Sequence, residues 1–192
     1  MQDLREQQIY QAAIQVFAEK GFEKTTMEGI ANQASVAKGT LFYRYNNKED
    51  LFVQIVHYAL ERVFETSQLA MTGITRASDK LATILSVQIQ LASQNPNMAK
   101  LIFREAWGII ERHPPLRESL ETYLHYVESV AMEGMESGEF RQMDTRQLAM
   151  SMFWLVASAS FSLIYENKSK DHESLRNELT SQFLHGIQIE RV

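Results

Sequence analysis

Apolar residues recur at helical spacing along nearly the whole chain, and no run of strict apolar/polar alternation is long enough to make a strand. Ile9, Ala13, Val16 and Phe17 share a helix face near the start, Leu81, Ile84 and Leu85 share one in the middle, and Leu175, Leu179, Phe183 and Ile187 share one near the end. This pattern restricts the chain to an all-α fold. Its 192 residues allow one or at most two domains and bury a core without metal or disulfide staples. The absence of cysteine removes thiol nucleophiles, zinc fingers, iron–sulfur clusters and disulfide frameworks together.

Punctuation divides the chain into about nine helices. Gly21 is a helix stop, with Phe22 placed to pack back on the helix it leaves. Thr25 with Glu28 reads as a capping box opening a second helix, and Asn47 with Asp50 opens a fourth. Further breaks fall at Met71-Thr72-Gly73, Asn95-Pro96-Asn97, His113-Pro114-Pro115, Ser137-Gly138 and Asn167 to Asp171. The first three helices are short and closely linked, and the later ones have bundle length. Two regions are expected, 1–46 and 47–192, joined rigidly through the helix that starts near Asn47.

Residues Met1 to Tyr10 include Asp3, Arg5 and Glu6 and lack the apolar core of a secretory signal, so a cytoplasmic protein is expected. Leu148 to Tyr165 is uncharged and touches the lower length limit for a membrane span. Ser151, Ser158, Ser160 and Ser162 would be costly in hydrocarbon, so a buried or subunit-interface helix is expected and no membrane partner.

Thr25 to Tyr45 reads as helix, tight turn, helix: about Thr26 to Gln33, then Ala34-Ser35-Val36, then about Ala37 to Tyr43. Ile30, Ala31, Val36 and Leu41 supply the inward positions, which is the spacing of a helix-turn-helix. Charge sharpens the reading. Gly29 to Lys48 holds Lys38, Arg44 and Lys48 and no acid, a local +3 in a chain whose total is -5, so the rest sums to -8. Counterion release depends on local cations, so an acidic total does not exclude nucleic acid. Thr40, Tyr43, Tyr45, Asn46 and Asn47 are interleaved with the cations and can hydrogen-bond phosphate or base edges.

The run from Thr25 to Ala31, Thr-Thr-Met-Glu-Gly-Ile-Ala, followed by Ser35 to Leu51, Ser-Val-Ala-Lys-Gly-Thr-Leu-Phe-Tyr-Arg-Tyr-Asn-Asn-Lys-Glu-Asp-Leu, resembles the DNA-binding region of the tetracycline-repressor (TetR) family. The likeness extends over about residues 5 to 55, and the chain length fits. The resemblance implies an N-terminal three-helix helix-turn-helix domain and a helical bundle for ligand binding and dimerisation. It further implies a homodimeric repressor released from a palindromic double-stranded operator by a small lipophilic effector. By position in the motif, Lys38, Gly39, Thr40, Tyr43 and Arg44 fall on the recognition helix. Lys38 and Arg44 could donate to guanine or phosphate, Thr40 could meet a phosphate or a thymine methyl, and Tyr43 the DNA backbone. Gly39 would permit close approach, and Thr26 and Lys48, at two helix starts, would favour phosphate. Two departures stand out. Phe42 replaces a frequent tyrosine, and its ring is expected in the core. Ser35 replaces a common glycine where a positive φ is expected, at a cost of about 1 kcal/mol.

For the ligand, Phe64, Phe103, Trp107, Tyr123, Tyr126 and Trp154 are candidates to line an apolar pocket between bundle helices. An apolar pocket suits a drug-like lipophile, and the resemblance to the TetR family adds a fatty acyl derivative as a candidate. The last two helices, roughly Thr145 to Glu166 and Asp171 to Ile189, carry Met150, Trp154, Ala157, Phe161 and Tyr165 on one face and are the expected dimer surface.

The competing class is a helical-bundle metal- or cofactor-dependent enzyme. The residues three before His57, His113, His125, His172 and His185 are Gln54, Ile110, Thr122, Ser169 and Gln182, so the Glu-x-x-His motif of di-iron bundles is absent. No two histidines stand four apart, and no glycine loop could cradle a phosphate. No enzyme activity, metal or cofactor is expected.

Overall fold

The computed structural model describes residues 4–102, 114–165 and 172–188. Among the described residues eight helices with full bounds run in order: α1 Leu4–Lys20, α2 Met27–Gln33, α3 Lys38–Arg44, α4 Lys48–Ala70, α5 Ala77–Gln94, α6 Pro114–Glu136, α7 Thr145–Tyr165 and α8 His172–His185. A further helical stretch covers 96–102. The described residues contain no strand, only an isolated antiparallel bridge between Phe140 and Gln188. None of the described helices is long and apolar enough to cross a membrane. The chain is all-α, with a helix-turn-helix at its N-terminal end.

Two compact units form, one from Met1–Ala59 with Asn97–Arg117 and one from Leu60–Pro96 with Glu118–Val192. The core of the first begins where α1 ends. Gly21 takes φ +83° and its N–H returns to the Phe17 carbonyl at 2.9 Å, the left-handed stop that glycine permits. The reversal stacks Phe22 on Phe17 with ring centres 5.4 Å apart, and Phe52 of α4 meets both edge-on at 5.8 and 5.4 Å. Such pairs add about 0.5–1.5 kcal/mol each to the burial of their rings. Phe52 thereby fixes the first turns of α4 in the same core as α1.

In the second unit, α5 buries Leu81, Ile84, Leu85 and Ile89 and packs against both α7 and α8. Helix α6 buries Leu120, Leu124, Val127 and Ala131 along one stripe. Arg146 of α7 reaches two carboxylates of α6, Glu121 at 2.7 Å and Glu128 at 3.3 Å, and Lys80 of α5 reaches Glu133 at 2.6 Å. These half-exposed pairs set register more than stability.

The turn after α6 is tied at several points. The Glu139 carboxylate accepts from the N–H groups of Ala77 and Ser78 at 3.0 and 3.1 Å and from the Ser78 hydroxyl at 2.7 Å. A carboxylate from 61 residues away thus caps the N-terminus of α5, where Arg76 and Ala77 offer no side-chain cap of their own. Next to it, Phe140 packs on Gly134 and is 1% exposed, and the Arg141 N–H donates to the Ile187 carbonyl at 3.0 Å.

Burial alone would raise the Glu139 carboxyl pKa. The Ser78 and Ala77 hydrogen bonds and the Arg76 charge outweigh burial and hold it below its ordinary 4.5. A depressed folded pKa contributes stability that is complete above the unfolded value and lost as pH falls through the folded one. Glu139→Gln should therefore cost about 1–2 kcal/mol at neutral pH and flatten the loss of stability below about pH 4.5. Urea midpoints of both chains between pH 3 and 7 measure this, and parallel curves would contradict it.

Candidate functional site

The helix-turn-helix is built by local chemistry with one strained residue. Thr26, extended at φ -119° and ψ 150°, caps α2 by accepting the Gly29 N–H at 3.1 Å. The Thr25/Glu28 capping box expected from the sequence does not form. Thr25 is buried and donates to the Gly21 carbonyl at 2.7 Å, and Glu28 pairs with Lys38. At the far end of α2 the Val36 N–H returns to Ala31 at 3.0 Å and the Ser35 N–H to Asn32 at 3.1 Å. Those are the two bonds of a Schellman turn, and they place Ser35 at φ 53°, the positive value anticipated at that position. Gln8 of α1 donates to the Ala34 carbonyl at 2.9 Å and braces the same turn.

Helix α3 is held by one buried side chain, Leu41, with Thr40 half-buried beside it. Lys38, Gly39, Phe42, Tyr43 and Arg44 face solvent, Tyr43 at 91% exposure. A Cβ built on Gly39 meets nothing within 4 Å, so the fold itself leaves that outer surface open. Phe42 is 44% exposed rather than in the core, with the Lys38 ammonium 5.7 Å from its ring centre. The helix starts at Lys38, one residue later than the sequence suggested, and Leu41 alone occupies the inward stripe.

Tyr45, read from the sequence as a possible DNA contact, is buried instead. Its ring lies 6.3 Å from that of Tyr10, which in turn lies 5.6 Å from Tyr58, and its hydroxyl donates to Glu6 at 3.4 Å. Burial raises the pKa of the Tyr10 and Tyr45 hydroxyls above the ordinary tyrosine value, so both stay neutral. Asn47 and Asp50 do open α4: Asn47 Oδ1 accepts the Asp50 N–H at 2.7 Å, and the Asp50 carboxylate accepts the Asn46 N–H at 3.0 Å. Lys48 donates to the Phe22 and Glu23 carbonyls at 3.0 and 3.1 Å, with its ammonium 4.7 Å from the Phe22 ring centre. It pins the start of α4 to the turn after α1. Lys38 hydrogen-bonds Glu28, and that ion pair lowers the Glu28 carboxyl pKa. The basic surface is thus partly neutralised by an acid just outside the stretch counted from the sequence.

Among the ligand candidates, the second unit brings together two aromatic groups. Phe64 meets Tyr126 edge-on at 4.8 Å, and the Tyr126 hydroxyl, its pKa pushed up to about 12 by burial, points at Met71 Sδ at 3.8 Å. Phe64 is 40% exposed. Tyr123 is buried against Phe153 at 5.9 Å, and Phe153 meets half-buried Trp154 edge-on at 5.4 Å. Phe103 and Trp107 lie outside the described residues. On the expected dimer face, Met150, Trp154 and Ala157 are half-exposed, and the side chains of Phe161 and Tyr165 are outside the description. No cluster of His, Asp or Glu among the described residues is arranged to hold a metal ion. Sequence reasoning passed over Phe153 and Gln88, although Gln88 sits within the apolar run Ile84, Leu85, Ile89 that faces the core.

Residues 9–55 match the model of bacterial regulatory proteins of the tetR family, and residues 57–183 match that of the YsiA-like protein C-terminal region. The fatty acid metabolism regulator protein of Bacillus subtilis is 27% identical over 184 residues, with 94% of each chain covered. The fatty acid degradation regulator FadR of Bacillus halodurans superposes with a TM-score of 0.83 at 25% identity, covering 96% of each chain. The transcriptional regulator FadR of Bacillus subtilis, solved in complex with stearoyl-CoA, gives 0.82 at 25% identity, covering 95% of this chain and 99% of that one.

Proposed function

This chain belongs to the tetR family of bacterial regulatory proteins, and from that premise we propose that it is a homodimeric repressor of a palindromic operator, released by a fatty acyl thioester. It is a DNA-binding transcription regulator and not an enzyme. The DNA-reading part of this assignment is supported above all by the construction of α3, in which one side chain faces in and Lys38, Gly39, Tyr43 and Arg44 face out. In this reading residues 1–46 read DNA and 47–192 bind ligand and pair with a second copy through α7 and α8, and the protein acts in the cytoplasm. Two α3 helices would enter major grooves about 34–36 Å apart. An acyl ligand is favoured over a drug-like one by the stearoyl-CoA bound to the Bacillus subtilis FadR.

The residues divide by role. Arg44 and Lys38 are assigned to bases or phosphate, Lys38 exchanging its Glu28 partner for DNA, and Tyr43 and Thr40 to the sugar-phosphate backbone. Gly39 allows the helix to sit close. Thr26 spends its hydroxyl on the α2 cap, which leaves the N-terminus of that helix as its phosphate contact. Lys48 keeps one ammonium proton for phosphate beside the two it gives to Phe22 and Glu23.

Arg44→Ala should weaken binding to the DNA flanking the gene by about 5- to 150-fold, the equivalent of about 1–3 kcal/mol for a base contact. Fluorescence anisotropy on that DNA and on random duplex separates base from phosphate contact: equal loss on both reassigns Arg44 to the backbone. In the same assay stearoyl-CoA should release the wild-type chain, and retention of the complex at saturating thioester would overturn the acyl reading.

A further inference from the structure

The core of the second unit holds an incomplete polar pair. Gln88 of α5, 7% exposed, donates from Nε2 to the Tyr123 hydroxyl of α6 at 2.6 Å, and Tyr123 is itself 4% exposed. The other end of the amide, Gln88 Oε1, is buried and has no hydrogen-bond partner among the described residues. The flanking positions on α5, Leu85 and Ile89, are apolar and buried, so a leucine or methionine at 88 would continue the stripe with no polar cost. A buried amide acceptor left without a partner is destabilising, because it has given up its water without a replacement. Burial raises the Tyr123 hydroxyl above its ordinary pKa, more than the Gln88 hydrogen bond lowers it, so the phenol keeps its proton. The pair therefore presents one vacant acceptor and one donor proton side by side.

One kind of group satisfies both. A hydroxyl can donate to Gln88 Oε1 while accepting from the Tyr123 O–H, closing a three-membered ring of hydrogen bonds. The same holds if the amide is turned over: Tyr123 then donates to Oε1, and a hydroxyl accepts from Nε2 while donating to the tyrosine oxygen. A carbonyl accepts but cannot donate, and a methylene does neither. Phe153 against the tyrosine ring and Trp154 against Phe153 give the surroundings an apolar, aromatic character suited to an alkyl chain on either side of that hydroxyl.

We propose that Gln88 and Tyr123 form a hydroxyl-recognition site, and that the effector this body is built for is an acyl chain bearing a hydroxyl group. This rests on the acyl reading of the ligand region and narrows it from acyl chains in general to hydroxylated ones. The pair sets selectivity through a simple asymmetry, because a saturated chain would leave the Gln88 acceptor and the Tyr123 O–H unsatisfied where a hydroxylated one satisfies both.

The test is isothermal titration of the full chain with stearoyl-CoA, 3-hydroxystearoyl-CoA and 10-hydroxystearoyl-CoA, the two hydroxyl positions sampling different depths along the chain. At least one hydroxylated thioester should bind tenfold or more tightly than stearoyl-CoA. Gln88→Leu should erase that advantage while binding stearoyl-CoA at least as well as the wild type, and Tyr123→Phe should erase it too. Gln88→Met, unbranched and of similar volume, serves the same purpose if leucine packs poorly. Equal affinity for all three thioesters in the wild-type chain would leave the ring to a bound water and overturn the site, with the acyl reading intact. A preference that survives both Gln88 variants would also overturn it. If no thioester binds, the acyl reading fails and the site fails with it.

Discussion

Gly134→Ala should destabilise the second unit by about 2–3 kcal/mol, the opposite of the gain of about 1 kcal/mol that alanine normally brings to a helix interior. A Cβ at this position would stand 2.1 and 2.2 Å from Cδ2 and Cε2 of Phe140 and 2.9 Å from its Cγ. The ring cannot swing aside cheaply. It is 1% exposed, its own N–H is bonded to the Gly134 carbonyl at 2.9 Å, and its neighbours Glu139 and Arg141 are tied to α5 and to Ile187. Either the helix gives way or the whole tied turn shifts. Urea unfolding of the variant measures the loss. Phe140→Leu in the same chain should restore part of it, although alone it is destabilising, so the two changes should couple by more than 1 kcal/mol in a double-mutant cycle. An alanine variant as stable as the wild type would mean that the turn has slack that its hydrogen bonds do not suggest.

Leu41→Ala should cost about 2–5 kcal/mol in the first unit and abolish operator binding outright. The range is that of any buried leucine, but the consequence is particular to α3, whose seven residues bury only this side chain. Without it, α3 keeps the Ala37 and Leu41 carbonyl bonds at its two ends but loses its packing against α2. Proteolysis should then cut between 38 and 44 while α5 to α8 stay protected. Leu41→Met, which conserves volume, should cost less than about 1.5 kcal/mol and retain binding. Strong binding by the alanine variant would show that the bracing of the α2–α3 turn by Gln8 and of Tyr45 by Glu6 is enough to hold the helix.

What was legible in the sequence was whatever is decided within one turn of helix. The stop at Gly21, the positive φ at Ser35, the opening of α4 at Asn47 and the helix-turn-helix itself all follow from residue type and spacing over a few positions. Tyr45 is misread because its partners Tyr10 and Glu6 lie far away in the sequence, whereas the capping residue of α2 is misread by one position. Two adjacent threonines can each cap a helix, and only the path of the chain after Gly21 turns Thr26 toward Gly29 and Thr25 into the core. Phe42, expected in the core because it replaces a frequent tyrosine, stands about 100° around the helix from inward-facing Leu41 and so faces solvent. Long-range partners left no local trace. Glu139 reads as one more surface acid, and nothing near it announces that it caps a helix 61 residues earlier. Gln88 did leave a trace, a polar residue interrupting an apolar stripe, which is where buried hydrogen bonds are to be sought.

The exposed surface of α3 has a consequence for how such a regulator can change its targets. Because five of its seven positions touch solvent and the remaining packing passes through Leu41 and half-buried Thr40, most of this exposed surface can vary with little effect on the scaffold. Copies of the chain that diverge at 39, 42 and 43 would keep nearly the same melting behaviour while settling on different genes. Stability would place almost no constraint on which promoter the chain comes to serve.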